Sequence, residues 1–266
     1  MGRKLRMLGV LGFGESDSLE EVAMVTWTKA LIGVVVASTV CGLTLADDPH
    51  AAKETSQAGP GGVKLTVRMQ GPYDAEVPLQ VVCYFKHKES GDTTIGAAVE
   101  LDKKLGGVIA SLRSRGEFAG DELETLLLTP PEGTIKPKAL LLIGLGDEAS
   151  LSLDRVEQVG RVALREAARL GVKCVAFAPL IRDQGNSKLG AGDVAAVVVR
   201  GMLLARDTEI RLQKEGLAKA HTIEEWVCEA GPRYFDETVS GVRKAMKEAD
   251  SAIAARPPAP YVGGKK

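Results

Sequence analysis

The residues with the greatest chemical capacity lie in one polar stretch, PLIRDQGNSKLGAGD, running from Pro179 to Asp193. It follows an apolar run at 172–178 and precedes a second at 193–205. A loop so placed sits outside the carboxyl end of a strand, where layered α/β sheets bind their ligands. Arg182 and Lys188 offer positive charge there, and Asp183 and Asn186 offer hydrogen-bonding groups. Gly190 and Gly192 would let backbone N–H groups approach an anion at a helix start. The alternative is that Asp193 caps the helix and the other polar side chains are solvated. An acid at that helix end also works against an anion.

Other candidate chemistries are weaker. Gly144-Leu145-Gly146 follows an apolar run as a phosphate-binding turn would, but Asp147 and Glu148 next to it repel an anion, and only two of the three fingerprint glycines are present. His50, His87 and His221 are scattered and show no His-x-x-x-His spacing, so no metal site is expected. No Gly-x-Ser-x-Gly places a serine on a strand-to-helix elbow, and Ser111, Ser114 and Ser187 have no evident histidine partner.

The elements that must position these residues alternate. Apolar–polar alternation predicts a strand over 63–69, and apolar runs predict strands over 79–85, 124–129, 138–143, 172–178 and 222–229. The pair 124–129 and 138–143, separated by a Pro/Gly loop, reads as a hairpin. Leu101, Leu105, Val108, Ile109 and Leu112 recur at helical spacing and predict one helix over 99–113. A second helix follows Ser152 as its cap and stops at Gly171. Helices over 193–205 and 234–254 complete the order, and the strand at 172–178 is expected to be central. The fold class is α/β, a mixed sheet with helices on both faces.

Leu101–Pro179 resembles the N-terminal domain of the leucyl aminopeptidase family. The likeness rests on the helix running into RGEFAG, on LLLIGLG followed by a Leu-x-Leu-Asp helix start, and on the helix–Gly–Val–strand unit ending VAFAP. The resemblance implies a macro-domain-like architecture. It also implies that catalysis belongs to a C-terminal domain, where two metal ions are held by a Lys, several Asp and a Glu within motifs that include Asn-Thr-Asp-Ala-Glu-Gly-Arg. Nothing in the 266 residues matches that motif, so no catalytic residue carries over. One departure is RDTEIRLQKEG at Arg206–Gly216, where the family often has an aromatic segment. In macro domains, loops comparable to Pro179–Asp193 hold ADP-ribose, which makes Arg182, Asp183, Asn186, Lys188, Gly190 and Gly192 the candidate ligand-binding set.

The N-terminal part reads as an export signal. Ala30–Ala46 is apolar and uncharged, with Lys29 before it and Asp47 and Asp48 after it. The expected cut follows Ala46, with Thr44 at the −3 position. A cut after Gly42 and an uncleaved membrane anchor are the alternatives. Residues 1–23 are acidic where a signal is basic, so translation is expected to start at Met24. Residues 47–62 read as a flexible linker, 63–256 as the domain, and 257–266 as a disordered tail. A formal net charge of −1 argues against a nucleic-acid partner. Of the four cysteines Cys41 goes with a cut signal; Cys83, Cys174 and Cys228 remain, an odd number that excludes a complete disulfide framework, and are expected as free thiols in apolar surroundings.

These features together lead to an exported, periplasmic or secreted, non-catalytic module without cofactor. Its work would be to bind a protein partner, itself, or a separately encoded catalytic chain. A macro-like binder of ADP-ribose or a nucleotide, and a subunit or fragment of a split aminopeptidase, are the competing expectations.

Overall fold

The computed structural model describes residues 53–221 and 223–258, all of them within one compact unit. The signal run, its upstream extension, Cys41 and His50 lie outside the described residues, as does the tail from 259 onward. Seven strands form one sheet: Glu54–Ala58 (β1), Lys64–Arg68 (β2), Leu79–Tyr84 (β3), Thr125–Leu128 (β4), Leu140–Gly144 (β5), Cys174–Ala178 (β6) and Glu225–Glu229 (β7). Their order is β1-β2-β7-β6-β3-β5-β4. The five inner strands pair in parallel, and both edge strands are antiparallel. β6 is central, and the apolar runs of β3 and β5 are buried along their whole length, as inner parallel strands covered on both faces must be.

Side chains alternate across the sheet and so divide the core in two. Leu65, Val81, Phe177 and Trp226 pack under Leu153–Leu170 (α3), Ala191–Lys214 (α4) and Phe235–Ala254 (α5). Val82, Tyr84, Leu140 and Leu142 pack under Gly96–Lys104 (α1) and Val108–Ser114 (α2) on the other face. α3 starts as expected, the Ser152 hydroxyl accepting the Arg155 N–H at 3.3 Å, and ends at Gly171 in the left-handed conformation.

Four expectations are corrected. The stretch read as a linker contains β1, which periodicity misses because it is a polar edge strand; Arg68 Nε meets Glu54 at 2.8 Å and the Ser56 and Thr66 hydroxyls meet at 2.9 Å. The single helix over 99–113 is two, because Gly106 and Gly107 take positive φ (69° and 81°) and Asp102 then caps the second piece by accepting the Ile109 N–H at 2.8 Å. The helix expected to end at 205 runs to Lys214, the RDTEIRLQKEG segment continuing it through an Asp207–Arg211 pair at 2.8 Å. Asp193 is not its cap: Gly190 holds that place, while Asp193 lies in the first turn, 3.6 Å from Lys244 Nζ. Of the tail, Pro257 is within the described residues and its carbonyl accepts from Arg211 Nη1 at 2.7 Å. No helix among the described residues is long and apolar enough to cross a membrane.

Candidate functional site

The parallel strands β2, β7 and β6 lie side by side and end at the same edge of the sheet. Their connections leave between them a cleft of about 600 Å³. Residues 69–72 follow β2, 177–183 end and follow β6, and 228–232 end and follow β7; the first turns of α4 close one side, with Ala97, Tyr234 and Thr238 at the rim. The walls are mainly apolar, with Leu180, Ile181, Val194 and Val198 among them, a composition typical of small-molecule sites. Leu180 holds a φ of 49°, a left-handed conformation costly for a side chain with a Cβ.

Four side chains set the electrostatics. Glu229 at the end of β7 is 8% exposed. Its Oε2 accepts from Gln80 Nε2 at 2.8 Å, while its Oε1 has no partner. Burial pushes its carboxyl up to about 8, against smaller lowering effects of the Gln80 hydrogen bond and the Arg68 charge. Gln70 donates through Nε2 to the Asp74 carbonyl at 2.5 Å, and its Oε1 is likewise without a partner. Burial also raises the Asp183 carboxyl, opposed by hydrogen bonds from the Ala98 and Ala97 N–H groups. Arg182 is engaged: its Nη2 donates to the Leu189 carbonyl at 2.6 Å and its guanidinium lies 5.4 Å from the Tyr234 ring centroid.

Of the six residues expected from sequence, the structure brings Arg182 and Asp183 into the cleft wall. Asp183 is also a fold element, accepting N–H groups from the first turn of α1. Asn186 is buried, and its Oδ1 accepts the Lys188 N–H at 3.1 Å, which shapes the loop; the Lys188 side chain is exposed. Gly190 is the N-cap of α4, and Gly192 lets α5 approach, since a Cβ on it would lie 2.8 Å from the Glu237 carbonyl oxygen. Gln184 is a buried brace from the loop to β3, donating to the Cys83 carbonyl at 2.9 Å and accepting the Phe85 N–H at 2.8 Å. Gln70, Glu229 and Tyr234 went unrecognised in the sequence. Glu229 had one signal, a carboxylate closing an apolar strand, but its meaning depends on β7 lying between β2 and β6.

The other candidates take structural roles. Gly144 has no room for a Cβ because it packs on the backbone of Gly120 and Asp121. Glu148 is held below its usual range chiefly by a hydrogen bond from Lys88, so the Gly-Leu-Gly turn presents an acid. His87 Nδ1 lies 3.0 Å from Asp92, which also receives Arg113 Nε at 2.6 Å. Among the described residues no group of three or more His, Cys, Asp or Glu could hold a metal ion, so they do not fit the two-metal centre of the family's catalytic domain. Cys83, Cys174 and Cys228 are free.

Comparison with known proteins follows the same lines. A sequence profile described as "Cytosol aminopeptidase family, N-terminal domain" matches residues 81–213, half of the 266-residue chain. A probable cytosol aminopeptidase of Thermosynechococcus vestitus is 28% identical over 159 residues, 59% of this chain and 30% of that protein. One from Geotalea uraniireducens is 36% identical over 93 residues, 35% of this chain and 19% of that protein. The matches thus span less than a third of either relative's length. Among solved structures, a mutant of tomato leucine aminopeptidase aligns with a TM-score of 0.52 at 17% identity, covering 77% of this chain and 38% of that one. A mutant macrodomain of Oceanobacillus iheyensis aligns with a TM-score of 0.51 at 10% identity, covering 77% and 99%. Another mutant of that macrodomain, described with ADPR, gives 0.50 at 9% identity, covering 73% and 100%. These likenesses establish a mixed α/β fold of the macrodomain and leucine aminopeptidase N-terminal type.

Proposed function

The chain belongs to the cytosol aminopeptidase family through its N-terminal domain, and from that premise we propose that it is a binding module rather than a catalyst, taking a small organic molecule in the cleft beyond β2, β7 and β6. One observation carries this: a cleft of about 600 Å³ at the carboxyl ends of three adjacent parallel strands, walled mainly by apolar side chains. The cleft moves small-molecule binding ahead of the protein partnership that the sequence puts first. ADPR, named with a macrodomain of like fold, is the alternative occupant.

Ligand-observed NMR with a mixed library of acidic, neutral and basic fragments, and with ADPR, tests the proposal on the full chain. Hits that vanish in Ala195→Phe, which fills the cleft from α4, support it when that variant keeps the wild-type circular dichroism and melting. No hits, or hits indifferent to the filling, overturn it. Hydrolysis of a leucyl arylamide by the purified chain with manganese or zinc overturns the non-catalytic half. Export is the second element of the proposal, supported by the uncharged run Ala30–Ala46 behind Lys29. A mature N-terminus at Asp47 in fractionated cells supports it, and recovery of an intact Met24–Ala46 segment in the cytosolic fraction overturns it.

A further inference from the structure

We propose that the occupant of the cleft is an apolar carboxylic acid whose carboxylate is received by Arg182. The inference rests on the cleft being a small-molecule site and adds the chemical class of what enters it.

Arg182 is fixed among residues that themselves line the cleft. Its Nη2 donates to the Leu189 carbonyl at 2.6 Å, and its guanidinium carbon lies 5.4 Å from the centroid of the Tyr234 ring. These contacts tie the loop after β6 to the turn that precedes α5. They leave Nε and Nη1 without a hydrogen bond, and neither atom is sealed from solvent. Among the described residues Arg182 forms no ion pair. A second guanidinium, that of Arg233, lies 5.7 Å from the centroid of the same Tyr234 ring.

The acids nearby are turned elsewhere. Asp183 follows Arg182 in the wall, but its carboxyl accepts the Ala97 and Ala98 N–H groups in the first turn of α1, and Arg182 is not among the groups that act on it. Glu229 accepts from Gln80 Nε2 at 2.8 Å, on the face of the sheet opposite to that of Phe177, Cys228 and α4. Asp193, in the first turn of α4, lies 3.6 Å from Lys244 Nζ. Arg182 is the one basic side chain lining the cleft, and its charge is left for what enters. An ammonium would meet a like charge there, whereas a carboxylate gains charge-assisted hydrogen bonds.

The rest of the wall sets the body of the acid. Met69 and Phe177 at strand ends, with Val194 and Val198 on α4, offer a surface from which a hydrocarbon chain or ring gains by leaving water. Those four side chains hold no donor for a further anionic group, and burying one against them would carry an unrelieved desolvation cost. One guanidinium with a nitrogen already committed to Leu189 balances a single charge. A monocarboxylate fits that arrangement, and a diphosphate does not.

The test is calorimetric titration of the full chain with 3-phenylpropionate, its neutral amide, phenethylamine and ADPR, and with the straight-chain acids from butanoate to octanoate. The expected result is that 3-phenylpropionate binds at least about tenfold tighter than the amide and the amine, and that affinity rises roughly threefold per methylene along the straight-chain series. Arg182→Met should lose about tenfold or more of the acid's affinity and leave that of the amide within about twofold. The comparison of acid with amide is made on the wild-type chain, so it decides the matter even where Arg182→Met fails to fold. Equal or tighter cleft-dependent binding of the amide, the amine or ADPR overturns the acid and leaves the binding module standing. Acid binding that is unchanged in a folded Arg182→Met, or that survives Ala195→Phe, also overturns it. Failure of all the acids alongside cleft-dependent hits of other chemistry overturns the acid alone, whereas absence of any cleft-dependent ligand overturns both readings.

Discussion

Two stretches of the same helix are finished to different degrees. Further along, where α4 crosses α3, glycine lets the backbones touch: Gly160 lies against the backbone of Val198 and Gly201 against that of Glu157. At its first turns, where Ala191, Val194 and Ala195 border the cleft, a cavity remains. A sequence that fits its helices to backbone contact has not left the cleft by general looseness. Close packing is the norm in protein interiors, so the local exception is the place to look for function.

The comparison breaks most visibly under added bulk. Gly201→Val drives a side chain into the Glu157 backbone and should cost about 3 kcal/mol or more in urea unfolding. Ala195→Phe, on the same helix but facing the cleft, should cost less than about 1 kcal/mol. Equal losses would mean that the cleft is filled in solution.

A pH series sharpens the same contrast. Glu229 has a folded-state value near 8 against a reference of 4.5, so the folded protein holds the extra proton between those values. The stability it contributes is full below about 4.5 and falls as pH rises to 8, by at most about 1.4 kcal/mol per pH unit. Glu229→Gln should flatten that part of the profile. A wild-type curve already flat between pH 5 and 8 would mean that Glu229 has a counter-charge which the cleft does not provide. Far from the cleft, Ser152→Ala removes the α3 cap and should cost about 1 kcal/mol independently of pH across that window.

These positions also mark how far the sequence could be read. Inner strands and the long helices were legible because burial on one or both faces writes itself as an apolar run or stripe, as in β5 and α3. β1 was not, since an edge strand held by Ser56–Thr66 and Glu54–Arg68 has no apolar period to detect. The break at Gly106 and Gly107 was hidden by a stripe that continues across it, from Leu101 to Ile109. The site was half legible. Its loop after β6 stands out as polar, but Gln70, just past β2, and Glu229, at the end of β7, are about 160 residues apart in sequence, and only the strand order brings both to the cleft wall. Much of that loop's polarity also belongs to the fold: Gln184 and Asn186 are buried and bonded rather than exposed to a ligand.

The smallest expected effect is chemical rather than energetic, and it compares the two ends of adjacent strands. Cys174 starts β6 at the edge opposite the cleft, is part-exposed, and is raised to about 11 by burial and by the neighbouring Glu225 carboxylate. Cys228 near the end of β7 lines the cleft, is 6% exposed, and is raised by burial to about 12. Since the thiolate is the reactive form, both should alkylate slowly in the native protein. Cys174 should label first by virtue of its exposure, and Cys228 only through motions that open the cleft. Peptide mapping after iodoacetamide treatment at pH 8 separates the two. A bound occupant should slow Cys228 further and leave Cys174 unchanged, because only the former shares a wall with it. Equal labelling of the two in the native state would make the cleft as open as the surface.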